Sequence, residues 1–274
     1  MPRFGLNGAT TGTADLSTDL RAAQEAGFDV LEIRDTKLRA YLEAGGTLYG
    51  LRREMRDAGV EPFTLNALEH ATHAAGGADL EELLHRCAAF CEWAAALACP
   101  YVVAVPSFTE EVADRSKVVE TAVAALRAMA GVGKRYGVRI GFEFLGFRDC
   151  SVNTLAAARE IVDAVDDPAV GMVIDAFHFY AGGSSWRMLE GLDPKLLVII
   201  HLNDAEDRPR SKLTDANRLL PGDGVIPLRE LVSRIEAIGY SGPYSIELFR
   251  PEYYAWDPVR LAQVSKEKME ALFS

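Results

Sequence analysis

The sequence predicts one (β/α)8 barrel domain over residues 1–274. Three observations predict it: strand-like and helix-like segments alternate along the whole chain, glycine sits at four helix-to-strand junctions, and several strands are apolar on both faces. Short β-branched or apolar runs fall at 4–7, 30–34, 63–66, 101–106, 139–144, 171–175, 197–203 and 244–249. Between them, 16–26, 48–58, 80–98, 118–136, 155–165 and 228–238 carry the 3.6-residue periodicity of helices. Parallel strands need such crossovers. Gly27, Gly59, Gly137 and Gly239 each stand just past a helix and just before the next strand, where a left-handed residue closes the helix. Tyr101-Val102-Val103-Ala104-Val105 and Val198-Ile199-Ile200 have no polar face, as strands do when helices cover the outside of a barrel and side-chain layers fill the inside. The rival is a doubly wound sheet, but Asn7-Gly8-Ala9-Thr10-Thr11-Gly12 lacks the phosphate-binding spacing that would follow its first strand. Residues 258–273 read as the last helix, and 204–224 as a long polar connection with little helical period.

Composition narrows the partners. At 274 residues, 49% hydrophobic and 25% charged, the chain can bury a large core. Its net charge of −11 would repel a polyphosphate, so no nucleic acid is expected. The start, Met1-Pro2-Arg3-Phe4-Gly5-Leu6-Asn7, has no apolar leader, and no run of about 18 apolar residues occurs. A cytoplasmic protein without membrane contact is expected, and a homo-oligomer is compatible with the sequence. Cys87, Cys91, Cys99 and Cys150 lack zinc-knuckle spacing and read as reduced structural thiols.

The loops at the C-terminal face of a barrel build its site, so an acid or imidazole ending a buried strand is the place to look. Glu143 ends Arg139-Ile140-Gly141-Phe142, Asp175 ends Gly171-Met172-Val173-Ile174, His201 ends Val198-Ile199-Ile200, and Glu247 follows Tyr244-Ser245-Ile246. One alone would be a loop cap or a salt-bridge partner. Four on consecutive strands, five through eight, would repel one another and lose hydration unless a cation compensated them. Three oxygen donors and one nitrogen suit Mn2+, Co2+, Mg2+ or a catalytic Zn2+.

The runs Gly141-Phe142-Glu143-Phe144, Val173-Ile174-Asp175-Ala176-Phe177-His178, His201-Leu202-Asn203-Asp204 and Ser245-Ile246-Glu247-Leu248 resemble the xylose-isomerase-like barrels over nearly the whole chain. Within that superfamily the sequence is similar to the 2-keto-myo-inositol (inosose) isomerases. Leu65-Asn66-Ala67-Leu68, Asn203-Asp204-Ala205-Glu206-Asp207-Arg208-Pro209 and Leu213-Thr214-Asp215-Ala216-Asn217-Arg218 carry the likeness, and Phe249-Arg250-Pro251-Glu252-Tyr253-Tyr254 is its most specific segment. The resemblance implies that Glu143, Asp175, His201 and Glu247 bind the metal, that Glu143 and Glu247 also move protons, and that His178 matches a substrate-binding histidine of the ketose epimerases. Gly8 departs from relatives that carry an acidic residue there, and His70-Ala71-Thr72-His73 has no counterpart in the pattern.

The reaction so implied interconverts neighbouring keto and hydroxyl carbons of a small polyhydroxy ketone through an enediolate, with Glu143 or Glu247 taking the C–H proton. His178 would donate to a substrate oxygen or support Asp175. Arg208 and Arg250 would reach substrate hydroxyls or pair with Glu206, Asp207 or Glu252. Asn66 would bind substrate or serve as an Asx cap. Glu32 and Arg34 would form a salt bridge at the barrel mouth, and Pro221-Gly222-Asp223-Gly224 a turn bordering the site. Alternatives on the same centre are a ketose 3-epimerase, an inosose or dehydroshikimate dehydratase, and a non-catalytic sugar-binding protein, whose signature would be a lost ligand. A three-metal endonuclease IV site needs more histidines than the five present.

Overall fold

The computed structural model of the chain describes residues 2–72, 77–109 and 114–274; His73 lies outside them. Eight parallel strands close a barrel in the order β1-β10-β7-β6-β5-β4-β3-β2. They are β1 (Phe4–Asn7), β2 (Val30–Arg34), β3 (Glu61–Leu68), β4 (Tyr101–Ala104), β5 (Arg139–Glu143), β6 (Val170–Asp175), β7 (Leu197–His201) and β10 (Tyr244–Ile246). A separate antiparallel ribbon pairs β8 (Asp204–Ala205) with β9 (Arg218–Leu219). The helices are α1 (Leu16–Ala26), α2 (Asp35–Glu43), α3 (Leu48–Ala58), α4 (Ala78–Leu97), α5 (Arg115–Tyr136), α6 (Leu155–Val165), α7 (Ala176–Ala181), α8 (Leu228–Ala237) and α9 (Pro258–Glu270).

All eight expected strands are present, and the junction glycines do what the sequence implies. Gly27, Gly59 and Gly137 follow α1, α3 and α5 with φ of 73°, 72° and 71°, a conformation that costs a Cβ-bearing residue strain. Asp15, Thr47, Asp114, Thr154 and Asp257 cap helix N-termini with their side chains. Two features depart from expectation. Helix α2 was not foreseen, because it leaves β2 without a turn and buries only Leu38 among polar neighbours. The polar 204–224 connection is ordered by Asp204, whose carboxylate accepts from the amides of Gly222, Gly224 and Ile226 at 2.8–3.0 Å.

Residues two apart on a strand share a face. Leu31 and Ile33, Ile140 and Phe142, and Met172 and Ile174 therefore point outward into the main core beneath the helices. A separate cluster, Val103, Val173, Val198 and Ile199, fills the barrel interior. Two residues beyond Gly141, Val173, Ile199 and Ser245 on those inward faces stand Glu143, Asp175, His201 and Glu247. The barrel is thus plugged by apolar side chains below and lined by polar ones above. All four cysteines are free and buried; burial pushes the Cys99 and Cys150 thiols up to about 12 and about 11, which makes them inert. Among the described residues no helix is long and apolar enough to cross a membrane.

The first strand-to-helix loop is held by a buried ion pair. Lys37 of α2 donates to Asp19 of α1 at 2.8 and 2.9 Å, and to the Gly8 carbonyl at 2.7 Å. Burial raises the Asp19 carboxyl from the ordinary 3.8 to about 6, with Lys37 opposing. A carboxyl raised on folding contributes stability that is complete below pH 3.8 and is lost as pH rises through 6. Asp19→Asn should therefore flatten the stability profile between those two values, measured by urea unfolding across that range. Lys37→Met, which strands the buried acid at neutral pH, should cost about 3–5 kcal/mol.

Candidate active site

The four strand-end residues converge. One ligand atom each from Glu143, Asp175, His201 and Glu247 lies within 4.8 Å of all the others, and all four side chains are buried. The centre of the group is the His201 ring, whose Nδ1 stands 3.2 Å from Glu143, 3.3 Å from Glu247 and 3.7 Å from Asp175. Strand pairing explains the closeness of two of them, since Asp175 and His201 are register partners on β6 and β7.

Sequence reading missed three members of this centre. Arg218, on β9, is almost wholly buried; its guanidinium donates to Asp175 at 2.7 Å, to Glu247 at 3.3 Å and to Asp215 at 2.9 Å, and lies over the rings of Phe177 and Phe249. Asn203 donates to Asp175 at 2.6 Å and accepts from the Phe177 amide at 2.8 Å. Asn7 donates to Glu247 at 3.0 Å and Glu32 at 3.3 Å. Asn203 stands in a motif quoted above, two residues past His201, and that adjacency was its signal. Arg218 also ends a quoted segment, but nothing in its spacing pointed to the site, because only the β8–β9 ribbon returns it to the barrel mouth.

The other expected contacts divide. His178 and Asn66 line a cavity of about 250 Å³ together with Glu143, Arg218 and Glu247. Arg208 and Arg250 do not line it: both pair with Glu206, at 2.5 and 2.6 Å, and Arg250 also with Glu252. Of the two roles the sequence allowed them, the structure gives the ion pairs. The Glu32–Arg34 salt bridge is absent among the described residues. Glu32 turns inward to His201 Nε2 at 3.1 Å, while Arg34 lines the cavity beside Phe249. Asn66 donates to Thr64 at 2.7 Å rather than capping a turn. A groove of about 550 Å³ lined by Arg52, Arg53 and Arg56 lies around the start of β3, at the end of the barrel opposite the strand-end cluster, where barrel chemistry does not occur.

Electrostatics follow from burial and neighbours. Burial raises Glu143 to about 7, against the pull of His201. Burial also opposes ionisation of Glu247, but His201 and Arg218 outweigh it and hold that carboxyl at about 2. Arg218 likewise holds Asp175 well below the usual range in spite of burial. His201 goes the other way: burial disfavours its charge, yet Glu32, Glu247 and Glu143 raise it well above 6.5. Burial, with Arg218 adjacent, lowers His178. Its Nε2 lies 3.0 Å from an Arg218 nitrogen that can only donate. The His178 proton therefore sits on Nδ1, which is buried without a partner.

Four carboxylates face one imidazole and one guanidinium, and the donors nearest each other are three oxygens and one nitrogen. That excess of acid and that donor set fit a divalent cation with open positions.

A closed parallel barrel with a carboxylate–histidine cluster at its strand ends defines a class of barrels whose C-terminal face can hold a divalent cation. This chain belongs to the xylose isomerase-like TIM barrel family, whose model matches residues 20–273. It is 39% identical over 263 residues to the inosose isomerase of Halalkalibacterium halodurans, covering 95% of this chain and 93% of that one. It is 36% identical over 263 residues to the inosose isomerase of Bacillus subtilis, covering 95% and 94%. Its structure matches the crystal structure of the IOLI protein, described with a binding zinc atom, at a TM-score of 0.95 and 35% identity, over 98% of this chain and 97% of that one.

The two classes of arginine make a direct comparison. Arg218→Met, which strands Asp175 and Glu247 in a dry site, should lower the unfolding free energy by about 3–5 kcal/mol, whereas Arg208→Met, at the surface, should change it by less than about 1 kcal/mol. Urea titration of both variants tests the assignment; equal losses would contradict it.

Proposed function

We propose that the protein is a divalent-metal-dependent isomerase that converts 2-keto-myo-inositol to 1-keto-D-chiro-inositol, a step of inositol catabolism. Identity to inosose isomerases over 95% of the chain supports the substrate. The observation that carries the chemistry is the single buried cluster that joins a four-donor set to two glutamates bordering one small cavity.

In this reading Glu143, Asp175, His201 and Glu247 hold the cation, which when bound withdraws electron density from the substrate's neighbouring keto and hydroxyl oxygens. The protein's own groups do the rest. One of Glu143 and Glu247 removes the proton from the hydroxyl-bearing carbon, the C–H electron pair forms the enediolate double bond as the carbonyl π pair moves onto its oxygen, the hydroxyl proton passes to that oxygen, and the same or the other glutamate returns a proton to the former carbonyl carbon as the new C=O forms. Their environments differ, since Glu247 is paired with Arg218 and Glu143 is not. His178 Nδ1–H donates to a substrate oxygen, its tautomer set by Arg218. Asn66 offers its carbonyl oxygen from the cavity wall. Asn203 and Arg218 keep Asp175 and Glu247 from turning away.

A small keto-polyol is the partner this cavity suits. Which of Mn2+, Co2+, Mg2+ or Zn2+ serves is decided by reconstitution: the chelator-stripped protein should gain thermal stability with one or more of them, about 2.7 kcal/mol at a hundredfold excess over Kd, and Asp175→Asn should abolish the gain. The reconstituted protein, followed by proton NMR in D2O, should turn 2-keto-myo-inositol into 1-keto-D-chiro-inositol with deuterium at the new C–H position, and Glu247→Gln should lower the rate at least 100-fold. A conjugated diketone in place of the isomer would mean that the same centre expels a β-hydroxyl as a dehydratase. Turnover of ketohexoses alone would mean a 3-epimerase, and no turnover with any metal would leave only a sugar-binding role.

A further inference from the structure

We propose that Glu32 is the positioning residue of this centre: it accepts the Nε2 proton of His201 and so fixes the ring with Nδ1 facing Glu143, Asp175 and Glu247. The inference rests on the cation-dependent reading of the cluster.

Glu32 is fully buried. It does not line the substrate cavity, so it has no access to the reacting atoms. Its carboxylate instead spans the barrel. β2 and β7 are separated by β1 and β10, yet the two Glu32 oxygens stand 3.1 and 3.2 Å from His201 Nε2. The contact is possible because the intervening inward positions are small: Gly5 and Ser245 lie side by side on β1 and β10, and Ser245 is the register partner of His201.

The direction of the hydrogen bonds is settled by elimination. An Asn66 amide nitrogen donates to Thr64 Oγ1 at 2.7 Å, so the single Thr64 hydroxyl proton is directed to Glu32 Oε2, also at 2.7 Å. Asn7 donates to Glu32 Oε1 at 3.3 Å. With no proton of its own to give, the Glu32 carboxylate can only accept, so His201 Nε2 is the donor in their contact. Held by Glu32 at Nε2, the ring turns Nδ1 toward the three carboxylates, the position from which it would serve a cation, and a ring turned over would break the bond to Glu32. The strand register makes this arrangement. Asn7, Glu32 and Thr64 are lateral neighbours on β1, β2 and β3, so one row of the barrel interior carries the whole support, and Asn7 extends it to Glu247.

Cobalt binding tests the inference without substrate. Stripped protein titrated with Co2+ should give visible d–d absorption. Glu32→Gln, which keeps the side-chain size, should weaken Co2+ binding roughly 10- to 100-fold and shift the band envelope. Thr64→Val, which keeps all charges and removes only the hydroxyl that orients Glu32, should move both readouts in the same direction by less. A merely structural Glu32 would lower the melting temperature of the stripped protein and leave affinity and spectrum alone. If Glu32→Gln does not fold, Thr64→Val decides. Wild-type binding matched by the variants, in affinity and in band position, would overturn the role of Glu32 alone; a wild-type protein that binds no cation would instead overturn the reading on which it rests.

Discussion

One imidazole ringed by four buried carboxylates is the constraint around which the upper half of this barrel is arranged. His201 meets Glu32 on one ring nitrogen and Glu143, Asp175 and Glu247 around the other. Acids at such separations in a dry interior are tolerated only when each is hydrogen-bonded and the charge is offset. The surrounding residues meet both conditions. Arg218 supplies a fixed positive charge that cannot be lost by deprotonation, and Asn7, Thr64 and Asn203 supply neutral donors to the carboxylates of Glu247, Glu32 and Asp175. The long β8–β9 excursion makes sense in these terms, because it is the segment that brings a guanidinium over a cluster built by strands.

The same requirement separates the two layers of the barrel. Below the cluster the interior is filled by Val103, Val173, Val198 and Ile199, so the acids stand on an apolar floor. Above it opens the cavity bordered by His178, Arg218, Asn66 and Phe249. A substrate entering there meets a site whose charges are already oriented, the condition under which electrostatic stabilisation is strongest. His178 shows how finely this is set: its position comes from α7, whose first turn is capped by Asp175 itself, and its tautomer from Arg218. One carboxylate therefore belongs to the strand-end cluster and also places a residue that lines the cavity.

Much of this was legible in the sequence, for physical reasons that also explain what was not. Barrel strands announce themselves because both faces are buried, and Glu143, Asp175, His201 and Glu247 stood out because each interrupts such a run at its C-terminal end. Helix α2 was hidden by its polar composition. Arg208 and Arg250 were visible as cations near the site, but Glu206 lies between them and holds both, and sequence spacing cannot rank an acid two residues away against a substrate across a cavity. Arg218 stood in a segment that carried the family likeness, but its place at the site is made by a two-residue strand pair that no periodicity announces. Glu32 and Arg34 misled for a simpler reason. Two apart on a strand they share a face and look like partners, yet their heads lie at different depths.

That difference in depth gives the mouth of the barrel its character. Glu32, lower on β2, is within reach of His201 across the interior, whereas Arg34, at the end of the strand, clears the polar row and emerges beside Phe249. Because the lower acid is held by His201, the upper arginine has no carboxylate partner among the described residues, and its guanidinium stays available at the cavity wall. Gly8 adds to this opening: a Cβ there would meet the Asp19 carboxylate at 2.8 Å and the Arg34 stem at 3.3 Å, so a side chain at position 8 would displace the arginine. The absence of a side chain at one loop position and the inward turn of one acid therefore act together. They leave a cation at the wall of the cavity that opens over an acidic centre.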